Sequence, residues 1–85
     1  MFKGKKILIT GGTGSLGKAL AKKLLELDAD IVRIFSRNEN NQTTMESEFD
    51  DDRLRYFIGD VRDLPRLIKA MEDVDIVYHA AALKH

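Results

Sequence analysis

Within Thr10-Gly11-Gly12-Thr13-Gly14-Ser15-Leu16-Gly17, glycine recurs at spacings suited to holding a phosphate against main chain. The run follows the apolar segment Ile7-Leu8-Ile9 and leads into helical periodicity from Ser15. A strand, a glycine turn and a helix in that order present free N–H groups, and the positive end of the helix dipole, to an anion. Two registers fit. Gly12, Gly14 and Gly17 give G-x-G-x-x-G, while Gly11, Gly14 and Gly17 give G-x-x-G-x-x-G. Either suits a dinucleotide pyrophosphate, because glycine lets the chain turn tightly and approach the phosphates with no Cβ between. A magnesium-binding phosphate loop is excluded, since Gly17-Lys18 is followed by Ala19, which has no hydroxyl.

Three further clusters extend this chemistry. Phe35-Ser36-Arg37-Asn38 stands about 20 residues past the glycine turn, where an acid would accept from a ribose 2′-hydroxyl. No carboxylate occurs there before Glu39. Ser36 and Arg37 suit a 2′-phosphate, which an acid would repel, so NADP is favoured over NAD; the plain alternative is a solvated Arg37. Gly59-Asp60-Val61 closes a later β-like segment, at the corner that faces an adenine in such folds. Asp60 could accept from the base amine and Val61 pack on the ring, or Asp60 could simply cap a turn. Ala80-Ala81-Ala82 leaves room for the central phosphates and ribose, or else merely starts a helix.

Other reactive residue types are sparse. His79 and His85 are the only histidines and fall on different elements, so no metal site is expected. His79 reads as packed at a strand end. Neither Tyr56 nor Tyr78 has a lysine four positions later, so neither is read as an acid or base, and no catalytic residue is assigned. The absence of cysteine excludes disulfide scaffolds and thiolate chemistry. Fourteen basic residues balance fourteen acidic ones, which gives no footprint for nucleic acid. Ile7-Leu8-Ile9 is too short for a leader core or membrane span, so a soluble, cytoplasmic protein is expected.

The elements that must position these clusters follow from hydrophobic periodicity. Lys6–Thr10 reads as a central strand, apolar on both faces. From Ser15 to Leu27 a helix is predicted with Leu16, Leu20, Leu24 and Leu27 on its buried stripe. Ile31–Phe35 is a second strand, Thr43–Phe49 a short helix with Met45 and Phe49 inward, and Leu54–Ile58 a third strand. Asp63 caps a third helix, Pro65 sits in its first turn, and Leu64, Leu67, Ile68 and Met71 mark one face. Ile76–Ala80 is a fourth strand. The alternation predicts an α/β protein: a partial Rossmann fold with a parallel sheet of about four strands, order 3-2-1-4, flanked by helices.

Taken in order, Thr10-Gly11-x-x-Gly14-x-x-Gly17, Phe35-Ser36-Arg37, Phe57-Ile58-Gly59-Asp60-Val61-Arg62-Asp63 and His79-Ala80-Ala81-Ala82-Leu83-Lys84-His85 resemble the start of the extended short-chain dehydrogenase/reductases. The likeness is closest to the UDP-N-acetylglucosamine 4,6-dehydratases of the polysaccharide-biosynthesis group, and it covers essentially the whole chain. That resemblance implies NADP(H) used within one turnover: hydride leaves C4 of the sugar, water is eliminated, and hydride returns at C6. It implies that Gly11, Thr13, Gly14, Ser15, Leu16 and Gly17 line the pyrophosphate. Ser36 and Arg37 would meet the 2′-phosphate, Asp60 and Val61 the adenine, and Ala80, Ala81 and Ala82 the inner ribose. Lys84 would approach the cofactor phosphates or the active-site rim, or lie free in solvent.

Such enzymes also need a Tyr-x-x-x-Lys pair and a sugar-nucleotide region, and this sequence contains neither. Residues 1–85 are therefore expected to be the N-terminal half of a dinucleotide-binding domain. It would bind cofactor, engage a UDP-sugar only with the missing part supplied, and be inactive alone. Its uncovered fourth strand and apolar helix faces predict a homo-oligomer. Two competing readings are a self-associating assembly module without ligand, and one half of a split nucleotide-sugar epimerase or dehydratase.

Overall fold

Each strand of this protein buries alternate residues on opposite faces of one sheet, as a period of two requires. The structure, a computed structural model, describes residues 2–80. Among these, four strands and three helices alternate: β1 (Lys6–Thr10), α1 (Ser15–Glu26), β2 (Ile31–Ser36), α2 (Glu39–Phe49), β3 (Leu54–Ile58), α3 (Leu64–Ala70) and β4 (Ile76–His79). The strands are parallel in the order β3-β2-β1-β4, a doubly wound half-sheet of the Rossmann type. Leu8 pairs with Arg33 on one side and Val77 on the other, so β1 is central.

One face carries the larger core. Ile7, Ile9, Val32, Ile34 and Leu54 pack there with Ala21, Leu24 and Leu25 of α1 and Met45 of α2. Burying a side chain such as Leu24 contributes about 1.5–3 kcal/mol. The opposite face joins only Leu8, Phe35 and Ala70 in a buried cluster, with Phe57, Leu67 and Val74 against it. Arg33 projects to this side and donates from Nη1 to the carbonyls of Ala70 (2.8 Å) and Glu72 (2.6 Å), tying down the end of α3. Each helix is followed by an aspartate at positive φ, Asp28 (68°), Asp50 (45°) and Asp73 (61°), which turns the chain back toward the sheet.

Three expectations need correction. The buried row of α1 is Gly17, Ala21, Leu24 and Leu25, whereas Leu16 is 49% exposed. Small residues let the start of α1 sit close to the sheet, and a pattern read from leucines alone rotates the helix. α2 begins at Glu39, four residues earlier than Thr43, because the Asn38 carboxamide accepts from the Asn41 amide (3.0 Å) and caps it. On α3, Leu67 packs inward while Leu64 (60%) and Ile68 (57%) remain largely in solvent. No helix among the described residues is long and apolar enough to cross a membrane.

Candidate functional site

All four strands point their C-terminal ends at one cleft of about 730 Å³. The β1–α1 turn forms its first wall. Gly11 has φ of 69°, and its amide donates to the Phe35 carbonyl (2.8 Å), which ties the turn to β2. A Cβ on Gly17 would lie 2.5 Å from the Gly12 Cα, and one on Gly12 would lie 2.7 Å from the Ile34 Cγ2. Those two glycines are required by packing. Gly14 is different: its φ of −76° and ψ of 174° suit any residue, and a Cβ there would come no nearer than 3.7 Å to the protein. What that Cβ would occupy is the cleft.

Gly14 is also the N-cap of α1. It bonds no amide through a side chain, and no acid stands in the first turn, so the opening N–H groups lack the usual intrahelical or capping acceptors. Thr13, Ser15 and Leu16 line the cleft beside them. A main-chain cradle with its positive pole unopposed among the described residues, and with space that a side chain would fill, fits the diphosphate of a dinucleotide.

The second wall is built from side chains at the ends of β2 and β3. Ser36 is buried, and its Oγ accepts from the Gln42 Nε2 (2.8 Å). That same nitrogen donates to the Phe57 carbonyl (2.8 Å), so Gln42, itself buried, bridges the two strands. With one acceptor site on Ser36 filled, its O–H remains available as a donor. Arg37 is exposed, and its Nη1 lies 3.7 Å from the Asp60 Oδ2. Gly59 has no room for a Cβ, which would meet the Phe35 Cζ at 2.7 Å.

Asp60 is held by Arg62. The Arg62 amide (2.9 Å) and Nε (3.1 Å) both donate to Oδ1, and Nη2 donates to Oδ2 (2.8 Å). These bonds keep the Asp60 carboxyl well below the ordinary carboxylate range. Val61 is partly exposed beside it, and Ala80 closes the floor. Ala81, Ala82 and Lys84 lie outside the described residues. His79, at the end of β4, is an exposed residue whose Nδ1 is hydrogen-bonded to the hydroxyl of buried Thr10.

Neither tyrosine lines the cleft; both pack against the larger core. Tyr56 has a buried, unpartnered hydroxyl among the described residues, and burial pushes its phenol up to about 12. Arg62, Asn38 and Asn41 line the cleft and Gln42 braces its wall, roles that sequence reasoning did not single out. Starting α2 at Asn38 would have aligned Gln42 with Met45 and Phe49 on one face. The shared Asp-x-Arg spacing of Asp51–Arg53 and Asp60–Arg62 was the available signal for the fork.

Comparison with known proteins places this geometry. The UDP-N-acetylglucosamine 4,6-dehydratase (inverting) of Campylobacter jejuni is 58% identical over 86 residues, covering 100% of this chain and 26% of the enzyme. The UDP-glucose 4-epimerase of Rickettsia bellii is 48% identical over 88 residues, covering 99% of this chain and 26% of that protein. The crystal structure of Pen from Bacillus thuringiensis superposes with a TM-score of 0.94 at 46% identity, across 100% of this chain and 27% of Pen. WbmF of Bordetella bronchiseptica, solved in complex with NAD+ and UDP, shares the fold at a TM-score of 0.72 and 23% identity, across 92% of this chain and 23% of WbmF. The chain spans about a quarter of the length of the curated relatives named here. A family profile described as Polysaccharide biosynthesis protein matches residues 7–85, and the chain belongs to that family.

Proposed function

We propose that residues 1–85 form the adenosine-side half of an NADP(H) site, the N-terminal portion of a cytoplasmic nucleotide-sugar 4,6-dehydratase of the UDP-N-acetylglucosamine type. The observation that carries this reading is the cleft itself: a glycine cradle with Gly14 open toward it on one side, and Arg37 with the Ser36 hydroxyl on the other. The α1 amides hold the pyrophosphate, Ser36 and Arg37 the 2′-phosphate, Val61 flanks the adenine, and Ala80 leaves space for the ribose. The cofactor supplies a reversible hydride acceptor; these residues bind and orient it. The sugar nucleotide and the acid–base groups belong to chemistry that this stretch does not itself contain. The 58% identity to the dehydratase, against 48% to the epimerase, supports a dehydratase as the parent protein.

Calorimetric titration with NADP and NAD tests the reading. NADP should bind about tenfold more tightly, and Arg37→Ala should remove most of that difference by deleting a charge-assisted contact. Equal affinity in the unaltered chain would refute the assignment of Ser36 and Arg37. A second reading, a self-associating module, is favoured by the exposed Leu64, Ile68, Met71 and Val77. Sedimentation that stays monomeric as concentration rises would remove it.

A further inference from the structure

We propose that Arg62 is a second phosphate-binding side chain, which forms with Arg37 a two-guanidinium clamp that Asp60 sets in place for a ribose 2′-phosphate. The proposal rests on the dinucleotide reading of the cleft and adds a residue that determines specificity within it. Arg37 follows β2 and Arg62 follows β3, yet both reach one oxygen atom, the Asp60 Oδ2, at 3.7 Å and 2.8 Å. A single carboxylate thus gathers two cations from neighbouring strand ends on one wall of the cleft.

Hydrogen-bond capacity decides what Asp60 can do. A carboxylate offers about four lone-pair sites. Three are filled by the Arg62 amide, Nε and Nη2, and the remaining one faces Arg37. Asp60 therefore positions Arg62 and keeps one acceptor site, because Arg37 at 3.7 Å pairs with it by charge without a hydrogen bond. Arg62 keeps its Nη1 group free of Asp60, and its side chain is 81% exposed, against 73% for Arg37. Two guanidiniums against one carboxylate leave a net positive charge, which suits a phosphate monoester with three terminal oxygens to share. A neutral ribose diol gains far less from the same pair.

The fork geometry alone does not make such a site. Asp51 and Arg53 form the same three bonds, at 2.9, 3.0 and 2.8 Å, but lie away from the cleft, and Arg53 spends its Nη1 on the Leu25 carbonyl. Of these two forks, among the described residues, only that of Asp60 shares its carboxylate with a second arginine on the cleft wall.

Calorimetric titration of this chain with 2′,5′-ADP and 5′-AMP, which differ only in the 2′-phosphate, tests the clamp. Arg62→Gln should weaken 2′,5′-ADP about tenfold and leave 5′-AMP unchanged, as loss of a charge-assisted bond to phosphate requires. Arg62→Lys should recover part of that loss, and Arg53→Gln should affect neither ligand. If Arg62→Gln weakens both nucleotides alike, or neither, the clamp is overturned while the dinucleotide reading stands. If the unaltered chain binds neither nucleotide, the dinucleotide reading fails and the clamp falls with it.

Discussion

The two walls of the cleft are made of different material. The β1–α1 wall is main chain, and its shape is locked by contacts that leave no room at Gly12 or Gly17. The β2–β3 wall is side chain, with Arg37 and Arg62 extended into solvent around Asp60. Changes at Gly12 or Gly17 in the first wall must pass through the fold, whereas Gly14 there and the exposed Arg37 and Arg62 of the second wall can change with the core untouched. On the proposed reading, the shape of the phosphate cradle is tied to stability at Gly12 and Gly17, while the arginines that would set preference between dinucleotides are not.

The strongest way to break that comparison is Gly17→Ala. The added Cβ would drive against the Gly12 backbone, and overpacking of this kind costs about 3 kcal/mol. In a domain of this size the melting temperature should fall on the order of 15 °C. A melt within a degree or two of the unaltered chain would show that the first wall yields more easily than its contacts imply.

Gln42 tests where the second wall meets the core. Gln42→Leu keeps the volume but strips the donors from the Ser36 Oγ and the Phe57 carbonyl, at about 2 kcal/mol of stability. Denaturant unfolding measures that loss. It should come with weaker NADP selectivity, because Ser36 loses the partner that orients its hydroxyl.

Gly14→Ser sharpens the comparison from the other direction. Serine is a good N-cap, and the position has room within the protein, so stability should hold. NAD and NADP should both weaken about tenfold, since the new side chain competes for the cleft and for the amides. Selective loss of one dinucleotide would contradict a wall that serves both.

The smallest effect is read in acid. Asp51 and Asp60 both titrate below the ordinary 3.8 because arginine forks favour their charged forms. A carboxyl depressed by folding contributes stability above its unfolded value, and that stability is lost as pH falls through the folded value. Asp51→Asn and Asp60→Asn should each lower the melting temperature slightly at neutral pH and flatten its fall below about pH 4. A steeper fall than in the unaltered chain would reverse the sign assigned to the forks.

Strand positions were legible because alternation is local and repeats: Ile7, Ile9, Val32 and Ile34 share one face wherever the loops go. The start of α1 was legible from its glycines. The orientation of α1 was not, because small Gly17 and Ala21 carry little hydrophobic signal yet decide how close the helix sits. Asn38 hid the start of α2 within a polar run, although its cap is an ordinary local bond. Gln42 was invisible as a strand bridge, since the Phe57 carbonyl it reaches belongs to a distant stretch of chain.

From residue order alone came the alternation of elements, the parallel sheet, the glycine turn after β1 and the want of an acid after β2. Those rest on backbone sterics and periodic burial, which act between near neighbours. Tertiary structure alone decided that Arg37 and Arg62 meet on one Asp60 oxygen, that Ser36 takes its hydrogen bond from Gln42, and that Gly14 rather than Gly12 opens to the cleft. Such meetings depend on strand register and rotamer, which bring residues together only after the sheet has formed.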